Sequence, residues 1–391
     1  MRKPLVSVDD AQERAKRKLP KSVYDFIVGG SEEALTLQHN RDAFREITFR
    51  PRNGVSFPSR RLETTVLGSK LSMPVAIAPA GFIRLAHWDA ELAAARAANA
   101  LGTAVGVSTM VSRNIEEIRA ATSGPIWYQI YFSGERQAVE VAIDRAKRAG
   151  CTALLITMDS PRKGYREPSL RGRGMPMKID LPTMIKFAPE MITRPRWVMN
   201  HLRRGLQMQV PNVRLSMDGP PLSLMEADLD AVQKPATWAD FQWIKERFGG
   251  PVAAKGILTA EDARRAVDAG ADAVIVSNHG GYMLDSAPGT MRVLPEVVDA
   301  VGGKTEILLD SGVRRGVDVV KALALGAKAV LIGRAYVWSL AADGEAGVRD
   351  ILGVFRDGID RTLALIGCEG VDALDRSYLN LPDDRQGYRR Y

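Results

Sequence analysis

No stretch of this chain stays apolar for the roughly 20 residues a membrane-spanning helix requires, so none is expected. The opening residues, MRKPLVSVDDAQERAKRKLP, hold no apolar core of the secretory kind, so no leader is expected there. Cysteine is nearly missing. Cys151 and Cys368 lie far apart and show no metal-ligand spacing, which excludes a disulfide-stapled scaffold and a cysteine-based metal site. Both thiols are expected reduced, as in a cytoplasmic protein. No nucleic-acid motif is present, and the basic residues are not interleaved with aromatics as in RNA-binding surfaces, so no nucleic-acid partner is expected. Only four histidines occur, so the setting of each carries weight.

What remains is an ordinary globular composition, with 46% hydrophobic and 26% charged residues. A length of 391 residues fits one (β/α)8 barrel with additions. The net charge of +8 suits an anionic cofactor, an anionic substrate or a membrane surface.

From Met73 onward a rhythm sets in. Strand-like apolar runs stand at 74–78, 103–107, 126–130, 153–157, 252–255, 273–277, 306–310 and 329–332. Helical segments with three- and four-residue apolar spacing separate most of them, at 91–100, 114–121, 137–149, 238–248, 260–269 and 316–325. Thr259 with Asp262 resembles a capping box, and Gly150, Gly270 and Gly326 stand where helices should stop. Strand alternating with helix eight times predicts a parallel α/β barrel of the TIM type over 73–370. Residues 1–72 read as a preface that packs on the barrel, with helices over 8–19 and 21–28, and 371–391 as a tail, all within one domain. The interval after the fourth strand is too long for a simple crossover, so 170–236 is an insertion. Its stretch 184–214 mixes Trp197, Phe187 and several methionines with Lys186, Arg194, Arg196 and Arg203. Such a segment suits peripheral contact with an anionic membrane, or equally a lid or a subunit contact with a solvated basic face.

One stretch concentrates the chemistry. Ala273 to Val276 is a short buried-strand run that breaks into Ser277-Asn278-His279-Gly280-Gly281. A histidine just past the carboxyl end of a barrel strand lies on the face where such barrels keep their active sites. The plain alternative is a turn histidine that caps a strand. The other strand ends converge on the same face: Pro79, Ala80 and Gly81; Ser108; Gln129 and Tyr131; Thr157 and Asp159; Lys255; Asp310, Ser311, Gly312 and Arg314; Gly333 and Arg334. This set suits flavin mononucleotide, FMN. The phosphate belongs after strands seven and eight, at Ser311, Gly312, Gly333 and Arg334. Asp310 suits ribityl hydroxyls, Ser108, Gln129 and Thr157 the ring edge, and Lys255 the pyrimidine end, where a fixed cation raises the flavin potential.

These segments resemble the FMN-dependent α-hydroxy acid oxidase/dehydrogenase family, which includes glycolate oxidase, lactate oxidase, mandelate dehydrogenase and flavocytochrome b2. The likeness runs through LPKSVYDFIVGGSEE, SMPVAIAPAG, YQIY, ITMDSPRKGYRE, AAKGILTAEDA, SNHGG and LLDSGVRRGVDVVKALALGAKAVLIGR. The resemblance implies His279 as the base that takes the substrate proton, Asp159 as its partner, Tyr131 on the substrate hydroxyl, Arg166 on the substrate carboxylate, and Lys255 beside the flavin, where the strand end before His279 also offers Ser277. It also implies a two-electron acceptor (oxygen, a quinone or another carrier) and a homo-tetramer.

Three positions depart from the family pattern. Position 282, an arginine in the family, is Tyr282; the tyrosine of the family's Y-D-Y is Phe26; the bulky aromatic after the second strand is Met110. The expected substrate is therefore a lactate- or mandelate-like 2-hydroxy acid larger than glycolate, lined by Tyr282, Met110 and an apolar lid around Phe187 and Trp197. AKRKLPKSVY, APEMITRPRW and GRAYVWSLAADGEAGV are also similar to the mycofactocin-system flavoproteins of this family. That second resemblance implies oxidative deamination of a cyclised peptide-derived amine.

Overall fold

The computed structural model describes residues 2–132, 136–167, 181–203, 210–221 and 236–382, apart from the side chains of 181–184 and 203. Much of the insertion expected over 170–236, including 170–180, 204–209 and 222–235, lies outside the described residues, as does 383–391.

Eight parallel strands close into a barrel: β1 (Val75–Ile77), β2 (Val105–Ser108), β3 (Ile126–Ile130), β4 (Ala153–Thr157), β5 (Val252–Ile257), β6 (Ala273–Val276), β7 (Glu306–Leu309) and β8 (Ala329–Ile332). Neighbours in sequence are neighbours in space, and β8 pairs with β1 through Val330 beside Val75 and Ile332 beside Ile77. Because side chains alternate along a strand, each strand feeds two cores. Ala76, Trp127, Leu155, Ala253, Ile275, Leu308 and Leu331 fill the interior. Ile77, Val107, Tyr128, Leu154, Val274, Leu309 and Val330 meet the surrounding helices. The inward register continues past the last apolar layer into Gln129, Thr157, Lys255, Ser277 and Asp310. One alternation therefore fills the barrel and loads its carboxyl end with polar groups. A hairpin of Thr64–Val66 and Ser69–Leu71 covers the other end, adding Val66, Leu67 and Leu71 to the interior core.

The preface holds α1 (Val8–Lys18), α2 (Lys21–Val28) and α3 (Leu35–Arg45). Helix α1 starts on Ser7, whose side chain accepts from the Asp10 amide, and it carries acids early and bases late, as the helix dipole favours. The barrel helices include α4 (Ala90–Ala100), α5 (Ile115–Ala120) and α6 (Arg136–Arg148). The insertion contributes α7 (Leu181–Ile192) and α8 (Pro195–Arg203). Then come α9 (Trp238–Phe248), α10 (Ala260–Asp268), α11 (Thr290–Val301), α12 (Gly316–Ala324) and α13 (Arg334–Ile366). Thr259 caps α10 by accepting from the Asp262 amide at 3.2 Å. Gly150, Gly270 and Gly326 take left-handed conformations that stop their helices.

Sequence patterning does not reveal α3, α11 or α13. In α11 Pro295 interrupts the helical pattern, and α13 is broken at Asp343-Gly344, both non-helical. Asp343 there meets Arg2, Arg14 and Lys18, so the break anchors the preface. The described part of the insertion also docks on the preface and on the turn after β1. Glu190 accepts from the Ser22 amide, Arg194 donates to Leu19 O, and Trp197 donates to Leu85 O at 2.8 Å.

The β1–β2 contact is close at one point. A Cβ on Gly106 would lie 2.7 Å from Pro79 Cδ and 2.8 Å from Ile77 O. Gly106→Ala is expected to force the two strands apart and to destabilise the protein by about 1–3 kcal/mol, seen as a lower urea midpoint. An unchanged midpoint would show that the contact yields freely.

Candidate active site

The carboxyl ends of the strands open into a cavity. Its described lining includes Phe26, Pro79, Ala80, Gly81, Met110, Tyr131, Arg166, Lys255, His279, Tyr282, Asp310, Ser311, Gly312, Arg314, Gly333 and Arg334. Each of these is a residue singled out from the sequence. Ser108, Gln129, Thr157 and Ser277 are buried next to that wall and do not line it.

His279 sits in a strained turn. It holds φ 56, followed by Gly280 at 66 and Gly281 at 77, so three successive residues occupy the left-handed region that disfavours side chains. The glycines are needed for space as well, since a Cβ on Gly281 would meet the Leu37 amide at 2.9 Å. His279 Nδ1 lies 3.1 Å from Asp159 Oδ1, and Nε2 lies 3.1 Å from the Tyr131 hydroxyl. With a carboxylate on Nδ1, that nitrogen carries the proton, and Nε2 accepts from Tyr131. Burial opposes ionisation of Asp159, but His279 and Lys255 outweigh it and hold the carboxyl below its usual range. Its second oxygen is buried without a hydrogen-bond partner. Burial, reinforced by the Asp159 charge, raises the Tyr131 hydroxyl above its ordinary value, so it stays a neutral donor.

Lys255 is a cation buried at the carboxyl end of the barrel. Its Nζ donates to Ser277 Oγ at 2.9 Å and pairs with Asp310 Oδ2 at 3.2 Å. Burial works against its charge, but Asp310 and Asp159 prevail and raise its pKa. A bulge follows at Gly256, φ 103, where a Cβ would meet the Asp159 side chain at 2.5 Å. The glycine thereby lets Asp159 approach. Gln129 Nε2 donates to Thr157 Oγ1 at 2.7 Å, and Ser108 Oγ accepts from the Met110 amide.

Tyr282 does more than line the cavity. Its single hydroxyl proton is shared between Ile27 O at 2.6 Å and Phe26 O at 3.0 Å, at the end of α2. Its ring lies between two guanidiniums, Arg166 at 4.5 Å and Arg334 at 4.2 Å. Arg334 also reaches the preface, donating to Ile27 O and Gly29 O, and ties it to the His279 turn by donating to Gly280 O. Arg166 also lies over the Phe26 ring, 4.8 Å from its centroid. Among the described residues no carboxylate pairs with Arg166, and burial lowers its pKa. Met110 packs against Val210 and Val213 of the insertion. The apolar lid expected around Phe187 and Trp197 is corrected here. Neither residue lines the cavity; Trp197 stacks on His201 with ring centroids 4.0 Å apart, held by its bond to Leu85 O.

The phosphate end can be tested against the residues present. Burial, with Arg334 and Arg41 nearby, pushes the Arg314 guanidinium down to about 9, and its Nε is buried without a partner. A Cβ on Gly333 would meet nothing. Two guanidiniums beside open space, one of them incompletely bonded, fit an anionic phosphate. Phe82, Ile83, Lys163, Met283, Val313 and Val337 also line the cavity without having been singled out in the sequence. Phe82 and Ile83 follow the PAG turn, and Lys163 lies within DSPRKGYRE, so proximity to those motifs is the available signal.

The model of the FMN-dependent dehydrogenase family matches residues 15–381. The chain is 42% identical over 383 residues to pre-mycofactocin synthase of Mycolicibacterium smegmatis, covering 95% of this chain and 93% of that protein. It is 39% identical over 383 residues to glycolate oxidase 5 of Oryza sativa subsp. japonica, covering 98% of each. The solved structure of a monotopic membrane protein, (S)-mandelate dehydrogenase, superposes with a TM-score of 0.90 at 37% identity, over 97% of this chain and 100% of that one.

Proposed function

We propose, from the premise that the chain belongs to the FMN-dependent dehydrogenase family, that it oxidises a 2-hydroxy acid larger than glycolate to the 2-oxo acid. The observation that carries this reading is Arg166, a half-buried guanidinium on the cavity wall with no carboxylate partner among the described residues. A half-buried cation favours a ligand that neutralises it. A substrate carboxylate does so, whereas a protonated amine would be repelled. The aromatic and apolar wall of Phe26, Phe82, Met110 and Tyr282 leaves a larger side chain well accommodated.

His279 then acts as the base. The Asp159 carboxylate on Nδ1 stabilises the imidazolium formed when Nε2 takes the substrate proton. Tyr131, within hydrogen-bond distance of Nε2, is placed to hold the substrate hydroxyl. FMN, when bound, supplies the two-electron sink. Pro79, Ala80, Gly81 and Lys255 would hold its ring, with Ser108, Gln129, Thr157 and Ser277 buried next to them, Asp310 its ribityl chain, and Ser311, Gly312, Arg314, Gly333 and Arg334 its phosphate. Lys255 stays charged because of its pairing with Asp310, and so favours the reduced ring electrostatically.

A second reading, oxidative deamination of a cyclised peptide-derived amine, is favoured by one observation. Tyr282 replaces the arginine expected of hydroxy acid enzymes, and its hydroxyl is committed to Phe26 and Ile27 rather than to a ligand. Anaerobic flavin bleaching across 2-hydroxy acids and α-amino amides separates the two. Bleaching by larger or aromatic 2-hydroxy acids is expected, with Arg166→Met weakening their binding roughly 10- to 150-fold, the worth of about 1.5–3 kcal/mol for a charge-assisted contact. Bleaching by the amino amides alone would overturn the leading reading. His279→Ala should keep FMN bound while slowing flavin reduction by roughly two to four orders of magnitude; near-normal reduction would remove His279 from the role of base.

The insertion supports peripheral membrane contact. Ile185, Ile192, Met199 and Leu202 are exposed on α7 and α8 beside Lys186 and Arg196. Among the described residues no helix is long and apolar enough to cross a membrane. Flotation with anionic vesicles is expected and should be lost in a Met199→Glu/Leu202→Glu variant; flotation of that variant at parental levels would reject this face.

A further inference from the structure

Hydrogen bonds form a closed circuit under the His279 turn. The His279 amide donates to Ser277 Oγ at 3.1 Å, and Lys255 Nζ donates to the same oxygen at 2.9 Å. Lys255 pairs with Asp310 Oδ2 at 3.2 Å. Asp310 Oδ1 accepts from Ser311 Oγ at 2.7 Å, and Ser311 Oγ accepts from the Gly280 amide at 2.9 Å. The circuit leaves the turn at one amide and returns at the next. It passes through the buried Lys255 ammonium.

The Ser311 hydroxyl is its most telling link. Ser311 holds φ 73, a conformation that glycine adopts freely and that costs any other residue. Position 311 thus keeps a side chain where the backbone favours none, and that side chain both donates and accepts within the circuit. A mere turn residue would not need either bond.

We propose that Ser311 is a positioning residue that locks the His279 turn to the Lys255–Asp310 pair, so that the orientation of the base and the charge beside the flavin are set together. This rests on His279 as base and Lys255 as flavin neighbour. Without the hydroxyl the Gly280 amide loses its acceptor, and the His279 turn loses one of its two amide ties to the circuit. Asp310 loses a donor, and its less-damped negative charge cancels more of the Lys255 field. The flavin should then become harder to reduce.

The experiment uses FMN-loaded Ser311→Gly and Ser311→Ala proteins. Glycine relieves the left-handed strain and should fold at least as well as serine, which protects the test if the alanine variant does not. Alanine separates loss of the hydroxyl from added backbone freedom. Hydrogen exchange of the peptide spanning 279–282, the flavin midpoint potential and the single-turnover rate of flavin reduction are measured. Exchange at the Gly280 amide is expected to rise roughly 2- to 10-fold, as for loss of one hydrogen bond. The potential should fall, and flavin reduction should slow by a similar factor with KM nearly unchanged. Parental exchange or a parental potential in Ser311→Gly would overturn the proposal. Neither readout depends on which substrate is oxidised, so a failure of the hydroxy acid reading and a failure of this one are distinguishable.

Discussion

A lysine ammonium buried inside a barrel has to be paired, and Lys255 is held at 3.2 Å from Asp310. Leaving either charge alone in that position would cost on the order of 3–5 kcal/mol. The pairing therefore constrains the ends of β5 and β7 to stay in register with β6 between them. Much of the site follows from this. Ser277 is placed by its bond to Lys255, the His279 amide by its bond to Ser277, and Asp159 by the bulge at Gly256 that comes directly after the lysine. The chemistry on this face is thus built on an ion pair that a substrate never needs to touch.

The cavity also holds cations that lack such partners among the described residues. Arg166 and Arg334 flank the Tyr282 ring, and Arg314 lies close enough to Arg334 for the two to repel. Aromatic faces and backbone carbonyls soften these charges without neutralising them. The family's arginine at 282 would have added a further guanidinium to this cluster. Tyrosine instead gives a ring that both neighbours favour and a hydroxyl that fastens the end of α2. The cavity therefore combines a balanced ion pair, Lys255 with Asp310, and guanidiniums that have no carboxylate partner among the described residues.

The barrel and most of the site were legible in the sequence because one pattern encodes both. Alternation places Trp127 and Gln129, Leu155 and Thr157, or Ile275 and Ser277 on the same inward face, so an apolar run that ends in a polar residue marks a strand and its functional end together. What was not legible depends on distant partners. Helix α3 is fixed by Asp285 accepting from the Thr36 amide and by the reciprocal amide bonds of Asn40 with Asn278. The seat of α7 and α8 depends on Glu190, Arg194 and Trp197 finding backbone groups near positions 19–22 and 85. The second set of duties of Tyr282 depends on carbonyls about 255 residues away in the chain. Local periodicity carries no information about such pairings.

Closure of the barrel by β8 against β1 sets an order on how the protein can be made. Until Ile332 has left the ribosome, the sheet has two open edges, and Val75–Ile77 has no partner on one side. The phosphate-binding candidates Gly333 and Arg334 come directly after that last strand, and Arg334 must still reach back to carbonyls at Ile27 and Gly29. The part of the cavity wall that Arg334 supplies is therefore complete only after the last strand has closed the barrel. Nascent chains must therefore pass through a stage in which both strand edges are exposed, and only the last strand removes them.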